Sequence, residues 1–230
     1  MSWIILVAFQ SLAATYSHAD QLLLRNLVLI RGRTITAFDE DGVQIGDRKI
    51  PWDQIQRGTV ATEKQAEFDR LLQELGEPLF RLRVRLRFGD YQSLGSFAES
   101  LYPRYSDRNS QTAFMVAHAL MKSRITAGHR EEAVEPYLRC LAYLLNSNDR
   151  LIFPGQRSLS FSSTTGLTPS LVPVWFDSDA AKRVLPKVRE AVRLIKHPRP
   201  EGVYLYYASL ALSGGDNKAA LDTIKLVSGE

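Results

Sequence analysis

The chain has 230 residues, 45% of them hydrophobic and 23% charged, and its 29 Lys and Arg against 25 Asp and Glu give a net charge of +4. These proportions exclude a collagen-like, low-complexity or wholly disordered protein and leave length for one or two domains with a sizeable core. A single cysteine excludes an internal disulfide and a Cys-cluster metal site, and the body of the chain holds no apolar run long enough to read as a multi-span membrane protein.

Residues 4–9, from Ile4 through Phe9, are apolar, the stretch continues through Leu12-Ala13-Ala14 without a charge, and Ser17-His18-Ala19 places small residues at −3 and −1 of a cut after Ala19. This is the order of a secretory leader, although no Lys or Arg precedes the apolar run. We therefore expect residues 1–19 to be a signal peptide and the protein to be exported, periplasmic or secreted. An uncleaved leader acting as an anchor and a buried element of the fold are the alternatives.

Residues 20–60 read as a small β-rich segment. Leu22–Ile30 is one strand or two short ones, and Thr34–Phe38 is β-branched and partly alternating. Asp39-Glu40-Asp41-Gly42 is a hairpin signal, with Val43 and Ile45 alternating on the return strand and Gly46-Asp47 turning again. Three to five strands are expected, as a meander or a small SH3-like barrel. The acidic run 39–41 lacks the loop spacing of an EF-hand and reads as a hairpin tip. Pro51-Trp52-Asp53-Gln54-Ile55 reads as a strand end handing over to helix, with Trp52 a packing residue or a binding aromatic.

From residue 61 the pattern turns helical. Thr62-Glu63-Lys64-Gln65 has capping-box spacing, and Phe68, Leu71, Leu72 and Leu75 recur at helical steps. Gly76 is expected to end this helix and Pro78 to open the next. Arg81–Phe88 alternates with period 2, which suits a strand with four Arg on one face. As a helix it buries Leu79, Leu82 and Leu86, and the flanking Pro78 and Gly89 favour that reading.

Three stretches resemble one another: 82–94, 121–133 and 208–220. Each is a helix, a glycine turn (Gly89, Gly128, Gly215) and a second helix with Leu94, Ala133 or Ala220 five residues on. Glycine turns the chain, and a small residue lets two helices approach. Apolar positions continue at Ala98 and Leu101, at Tyr137 and Leu141, and at Ile224 and Val227. This resembles the tetratricopeptide-repeat (TPR) helix-turn-helix unit over about 100 residues. The departures are spacings of 39 and 87 residues and the absence of the family's Trp and Leu-Gly positions. The resemblance implies stacked hairpins and a groove for a protein partner.

Residues 150–179 interrupt the pattern. The stretch is rich in Ser, Thr, Pro and Gly but also carries Phe153, Phe161, Trp175 and Phe176. An ordered excursion against the helices fits better than a disordered linker. Asp177-Ser178-Asp179 is expected to cap a helix from Ala180 to Lys196.

No catalytic signature emerges. His118 and His129 have no paired ligand spacing, Cys140 lies in an apolar helical run, and no G-x-S-x-G elbow or phosphate loop is present. No cofactor or metal is expected. The fold class is α+β, mainly α: a small N-terminal β segment, then a TPR-like helical domain over 61–230 with an irregular insertion at 150–179. The expected work is non-enzymatic protein binding or scaffolding through a helical groove. The alternative is a module for an anionic polymer, a polysaccharide or, in a cytosolic chain, nucleic acid, held by Arg81, Arg83, Arg85 and Arg87. Trp175 and Tyr91 complete the candidate partner-binding residues.

Overall fold

The structure is a computed structural model, and it describes residues 20–146, 176–193 and 201–228. Residues 1–19, where a leader is expected, residues 147–175, which hold most of the expected excursion and Trp175, and residues 194–200 lie outside the described residues. The described chain is mainly helical, with two small antiparallel three-stranded sheets at its N-terminal end.

The first sheet has the order β2–β1–β6, formed by β1 (Gln21–Leu24), β2 (Leu29–Arg31) and β6 (Ile55–Thr59). The second is a meander of β3 (Ile35–Asp39), β4 (Gly42–Ile45) and β5 (Arg48–Ile50). Alternation fixes the inward faces: Leu22, Leu24, Ile35, Val43, Ile45 and Ile50 are buried. Asp39 pairs with Gly42, so Glu40-Asp41 is the two-residue hairpin tip expected from the Asp-Gly signal. Gly42 is obligatory there: its φ is +147°, and a Cβ would strike the Ile50 carbonyl.

Six strands form where three to five were expected. The extra one is β6, which lies between Trp52 and the first helix, so residues 51–55 hand over to a strand and not to a helix. Its inward positions are only Ile55 and Gly58, which leaves no apolar alternation to read. Gly58 pairs with Leu22, and a Cβ on it would lie 2.5 Å from Phe68 Cζ and 2.6 Å from Leu22 Cδ2.

Trp52 is fully buried in a short 3₁₀ turn at the centre of this core. Its ring meets Phe38 at 6.2 Å and Phe68 at 5.2 Å, and its indole N–H donates to the Asp39 carbonyl at 2.6 Å. It is a packing residue, not a surface aromatic. Because Phe68 belongs to the first helix, one hydrophobic core runs across residue 60.

Helices α1 (Thr62–Leu71) and α2 (Glu77–Phe88) are joined without a break by a π turn at Leu72–Gly76. Gly76 therefore does not stop the helix. Its φ of −60° is helical, and a Cβ would lie 2.8 Å from Leu72 Cδ1 and 3.6 Å from the Trp52 carbonyl, so it serves close approach to the Trp52 turn. The widened turn also makes room for the ring of Pro78, which would press on the carbonyl one turn back. The expected cap at Thr62 moves by one residue: the N-cap is Ala61, without a side-chain bond. Gln65 still reaches back, accepting from the Val60 N–H at 2.8 Å.

Residues 77–88 are helix, as the flanking Pro and Gly favoured, and Leu79, Leu82 and Leu86 are the buried stripe. Then come α3 (Gly95–Tyr105), α4 (Gln111–Thr126), α5 (Arg130–Asn146), α6 (Ser178–Arg193), α7 (Glu201–Ser213) and α8 (Asn217–Ser228). α4 is buried on nearly every side from Thr112 to Met121 and forms the centre of the molecule. From α3 onward each helix packs chiefly on its chain neighbours, and Tyr137 and Tyr206 link α5 to α7 at 6.1 Å.

The three glycine turns are alike in atomic detail. Gly89, Gly128 and Gly215 have φ of 73°, 83° and 82°. Each glycine N–H donates three residues back, to Leu86, Ile125 and Leu212. The next N–H, of Asp90, His129 and Asp216, donates five residues back, to Arg85, Arg124 and Ala211, at 2.8–3.0 Å. This is the glycine-terminated helix end with its last carbonyls satisfied. Leu94, Ala133 and Ala220 are buried as expected, as are Ala98, Leu101, Tyr137 and Leu141. The third hairpin departs: Ile224 is exposed, and Ala220 and Thr223 face inward in α8. Asp177 caps α6 through Oδ1, accepting from the Ala180 N–H at 2.7 Å.

Candidate binding groove

The four arginines of α2 do not form one stripe. Steps of two residues on a helix alternate between faces, which pairs Arg81 with Arg85 and Arg83 with Arg87. Folding contacts occupy three of them. Arg81 pairs with Glu77 at 2.8 Å. Arg83 pairs through Nε with Asp53, whose side chain is completely buried in the Trp52 turn. Arg85 donates to the Ser93 carbonyl at 2.5 Å and lies 4.9 Å above the Phe97 ring. Arg87 is exposed on the last turn. Tyr91 is half-buried beyond Gly89, with Lys122 Nζ 5.8 Å above its ring. Arg85 and Tyr91 thus meet at the α2–α3 turn, and neither lines the grooves described next.

A second basic pair is also structural. The β3–β4 hairpin tip docks on the α3–α4 junction: Arg104 bonds Glu40 at 3.2 Å and Glu74 at 3.0 Å, and Arg108 bonds Asp41 at 2.8 Å. Tyr105 donates its hydroxyl to the Glu40 carbonyl at 2.6 Å. The acidic tip is therefore a clasp between the sheets and the helices.

Two concave regions adjoin α5, and a third, of about 210 Å³, lies between α6, α7 and α8 at Arg189, Val192, Tyr204 and Tyr207. One is a cleft of about 220 Å³ with an aromatic floor of Tyr102, Tyr105, Phe114 and Tyr143, rimmed by Arg108 and Arg139. Tyr102 donates to Glu135 at 3.1 Å and Arg139 pairs with Asp107 at 3.4 Å, while the buried Arg139 Nε makes no hydrogen bond.

The other is a groove between α5 and α6. One section, of about 440 Å³, runs from Gly128, His129 and Glu131 across to Phe176, Asp177 and Arg183. It continues into a section of about 180 Å³ lined by Glu131, Glu132, Glu135, Arg183, Val184 and Lys187. The floor is apolar, with Ala180 and Val184 buried, and the walls are charged with opposite sign. Glu131 and Glu135 lie one turn apart on α5, and Arg183 and Lys187 one turn apart on α6. One pair bridges the walls, Arg183 to Glu131 at 3.1 Å. Glu132 turns toward Arg124, which donates to its carbonyl at 2.7 Å, and toward His129 Nδ1 at 3.3 Å.

None of the described candidates from the sequence (Arg81, Arg83, Arg85, Arg87, Tyr91) lines this groove. Trp175 lies outside the described residues, and its chain neighbour Phe176 forms part of the wall. The signal for the groove was two rows of opposite charge, each at one-turn spacing, on helices far apart in sequence.

Cys140 and His118 are both buried. Cys140 is fully buried with its Sγ 3.9 Å from the Phe114 carbonyl, and burial pushes its thiol well above the usual range. His118 is stacked on Phe114, and burial, with Lys122 adding repulsion, lowers its pKa to about 3. Among the described residues no His, Cys, Asp and Glu side chains gather as a metal site, and no helix is long and apolar enough to cross a membrane. Comparison with family models, with curated proteins and with solved structures gives no significant match.

Proposed function

We propose that the protein is a non-enzymatic, exported interaction module: a TPR-like array of helical hairpins, braced at one end by the β segment, that holds a protein segment in the α5–α6 groove. The observation that carries this reading is the groove itself, with its apolar floor and opposed charged walls bridged by the Arg183–Glu131 ion pair. Such a surface fits an extended or helical peptide carrying both signs of charge. The three glycine turns, each followed five residues on by a buried Leu or Ala, are consistent with the repeat reading, although such helix ends are common. The leader pattern of residues 4–19 supports the exported location.

The test is capture of partners by the immobilised full chain, beside the Arg183→Glu, Lys187→Glu double variant. Both side chains are exposed, so the fold should tolerate the change with a Tm within about 2 °C of the parent. A discrete protein captured by the parent and lost with the variant is expected. Equal capture by both would overturn the assignment to this groove.

A further inference from the structure

The β1–β2 hairpin ends in three consecutive exposed aliphatic residues, Leu27, Val28 and Leu29, with Leu27 78% exposed. Leu27 is the one non-glycine residue with positive φ among the described residues, at +67°. The turn is closed by two backbone bonds of 2.9 Å, Leu27 N–H to the Leu24 carbonyl and Leu24 N–H to the Val28 carbonyl. The Asn26 side chain accepts from the Val28 N–H at 3.2 Å. A left-handed residue in such a turn is ordinarily Gly or Asn, because an L side chain is strained there. Here a pinned, strained backbone holds a large aliphatic side chain out in solvent.

Basic groups predominate around the tip, the acidic ones nearby being Glu77, paired with Arg25, and Asp20, which accepts from the Ile35 N–H at 2.7 Å. Residues 21–38 and 54–61, which supply β1, β2, β6 and their flanks, contain no Asp or Glu and four Arg. Arg25 is tied back by Glu77 at 3.0 Å and lies 4.1 Å above the Phe80 ring. Arg31, Arg33 and Arg57 are exposed. The register sets Leu29 opposite Leu23 and Leu23 opposite Arg57, so leucines and an arginine share the outer face of the sheet.

We infer that this hairpin docks the protein on an anionic lipid bilayer, with Leu27, Val28 and Leu29 entering the headgroup–acyl boundary and Arg31, Arg33 and Arg57 meeting lipid phosphates. An aliphatic tip beside unopposed guanidinium groups matches both layers of that interface. A nucleic-acid surface of this size would be expected to carry stacking aromatics, and residues 21–36 contain none. The docking surface belongs to the first sheet, so it is separate from the α5–α6 groove and does not depend on the function proposed for it.

The test uses the full chain with a Val28→Cys substitution labelled with the environment-sensitive fluorophore NBD. Cys140 is buried, so the label goes to position 28. A second variant, Asp47→Cys at the β4–β5 turn, is the reference. With phosphatidylcholine vesicles containing phosphatidylglycerol, the position-28 probe should brighten and shift to the blue, be quenched by doxyl-labelled lipid, and revert in high salt. The position-47 probe should not respond. Leu27→Gly relieves the backbone strain, so it should raise Tm by about 2–4 °C while weakening the vesicle response about tenfold or more. Arg31→Glu and Arg57→Glu should each weaken it about fivefold. A silent position-28 probe, an equal response to neutral vesicles, or full binding by Leu27→Gly would overturn the inference. A response to DNA or heparin with none to vesicles would overturn it in favour of a polyanion surface.

Discussion

Removing the Arg83 guanidinium tests how this fold uses its basic residues. Arg83 is 22% exposed, and its partner Asp53 has a fully buried side chain in the turn that carries Trp52. Asp53 Oδ1 makes no hydrogen bond, so the Arg83 contact at Oδ2 is the main compensation for the charge. Breaking a buried pair from one side leaves an uncompensated charge, which costs roughly 3–5 kcal/mol when burial is complete. Water reaches Arg83 in part, which reduces this to about 2–3 kcal/mol. In a chain of this length such a loss lowers Tm by about 4–12 °C. The measurement is thermal and urea unfolding of Arg83→Met, Asp53→Asn and the double variant. Arg83→Met should lose about 2–3 kcal/mol, and the double variant should recover most of it. A loss under about 0.5 kcal/mol, or a double variant no better than Arg83→Met, would refute the reasoning. A practical consequence follows for the anionic-polymer alternative. Charge reversal at Arg83 removes the partner of the buried Asp53 and so lowers stability whatever the ligand, and polyanion binding is properly tested at the exposed Arg87 and at Arg81.

Other outcomes follow from the same packing. Gly58→Ala should destabilise by roughly 2–3 kcal/mol, because its Cβ meets Phe68 and Leu22, and a urea midpoint equal to the parent's would contradict the tight sheet–helix contact. Trp52→Ala should cost about 3–5 kcal/mol and broaden near-ultraviolet circular dichroism, whereas a Tm unchanged within 2 °C would rule out its central place in the core. His118 has a folded pKa of about 3 against the ordinary 6.5, so the unfolded chain binds its proton first as pH falls. Its neutral burial contributes stability that is complete above pH 6.5 and declines between there and about pH 3. His118→Gln should therefore flatten the Tm profile between pH 7 and 4, and a parallel profile would refute the assignment. Glu74 and Glu77 are held below the usual carboxylate range by hydrogen bonds from Arg70 and Arg104 and from Arg81 and Arg25. Their contribution is present above about pH 4.5 and is lost as pH falls through the lowered values. Arg104→Ala should weaken this acid sensitivity below pH 4.5, as read by Tm.

The elements legible in the sequence are those where local pattern and tertiary environment agree. Residues 77–88 carry leucines at helical steps between a proline and a glycine, and those leucines pack inward. The Asp-Gly hairpin and the three glycine turns are local in the same sense, since backbone conformation alone demands those residues. Strand β6 was illegible because its inward positions are filled by one isoleucine and a glycine whose missing Cβ matters only beside Phe68 and Leu22. Gly76 looked like a stop because a glycine required for close approach is identical in sequence to one required for a turn. The arginines misled for another reason: what Arg83 and Arg104 neutralise lies 30 or more positions away, at Asp53, Glu40 and Glu74. The α5–α6 groove was hidden likewise, since each of its charged rows by itself resembles an ordinary solvated helix face.

The most direct test of the α5–α6 groove is a photo-crosslinking amino acid placed at Lys187 in the native cell, with the same residue at Lys218 on α8 as the reference. Both positions are exposed, and only Lys187 lines the groove. A single discrete protein adduct at position 187 and none at 218 is the predicted result. No adduct at 187, or the same pattern at both positions, would contradict the binding-module account.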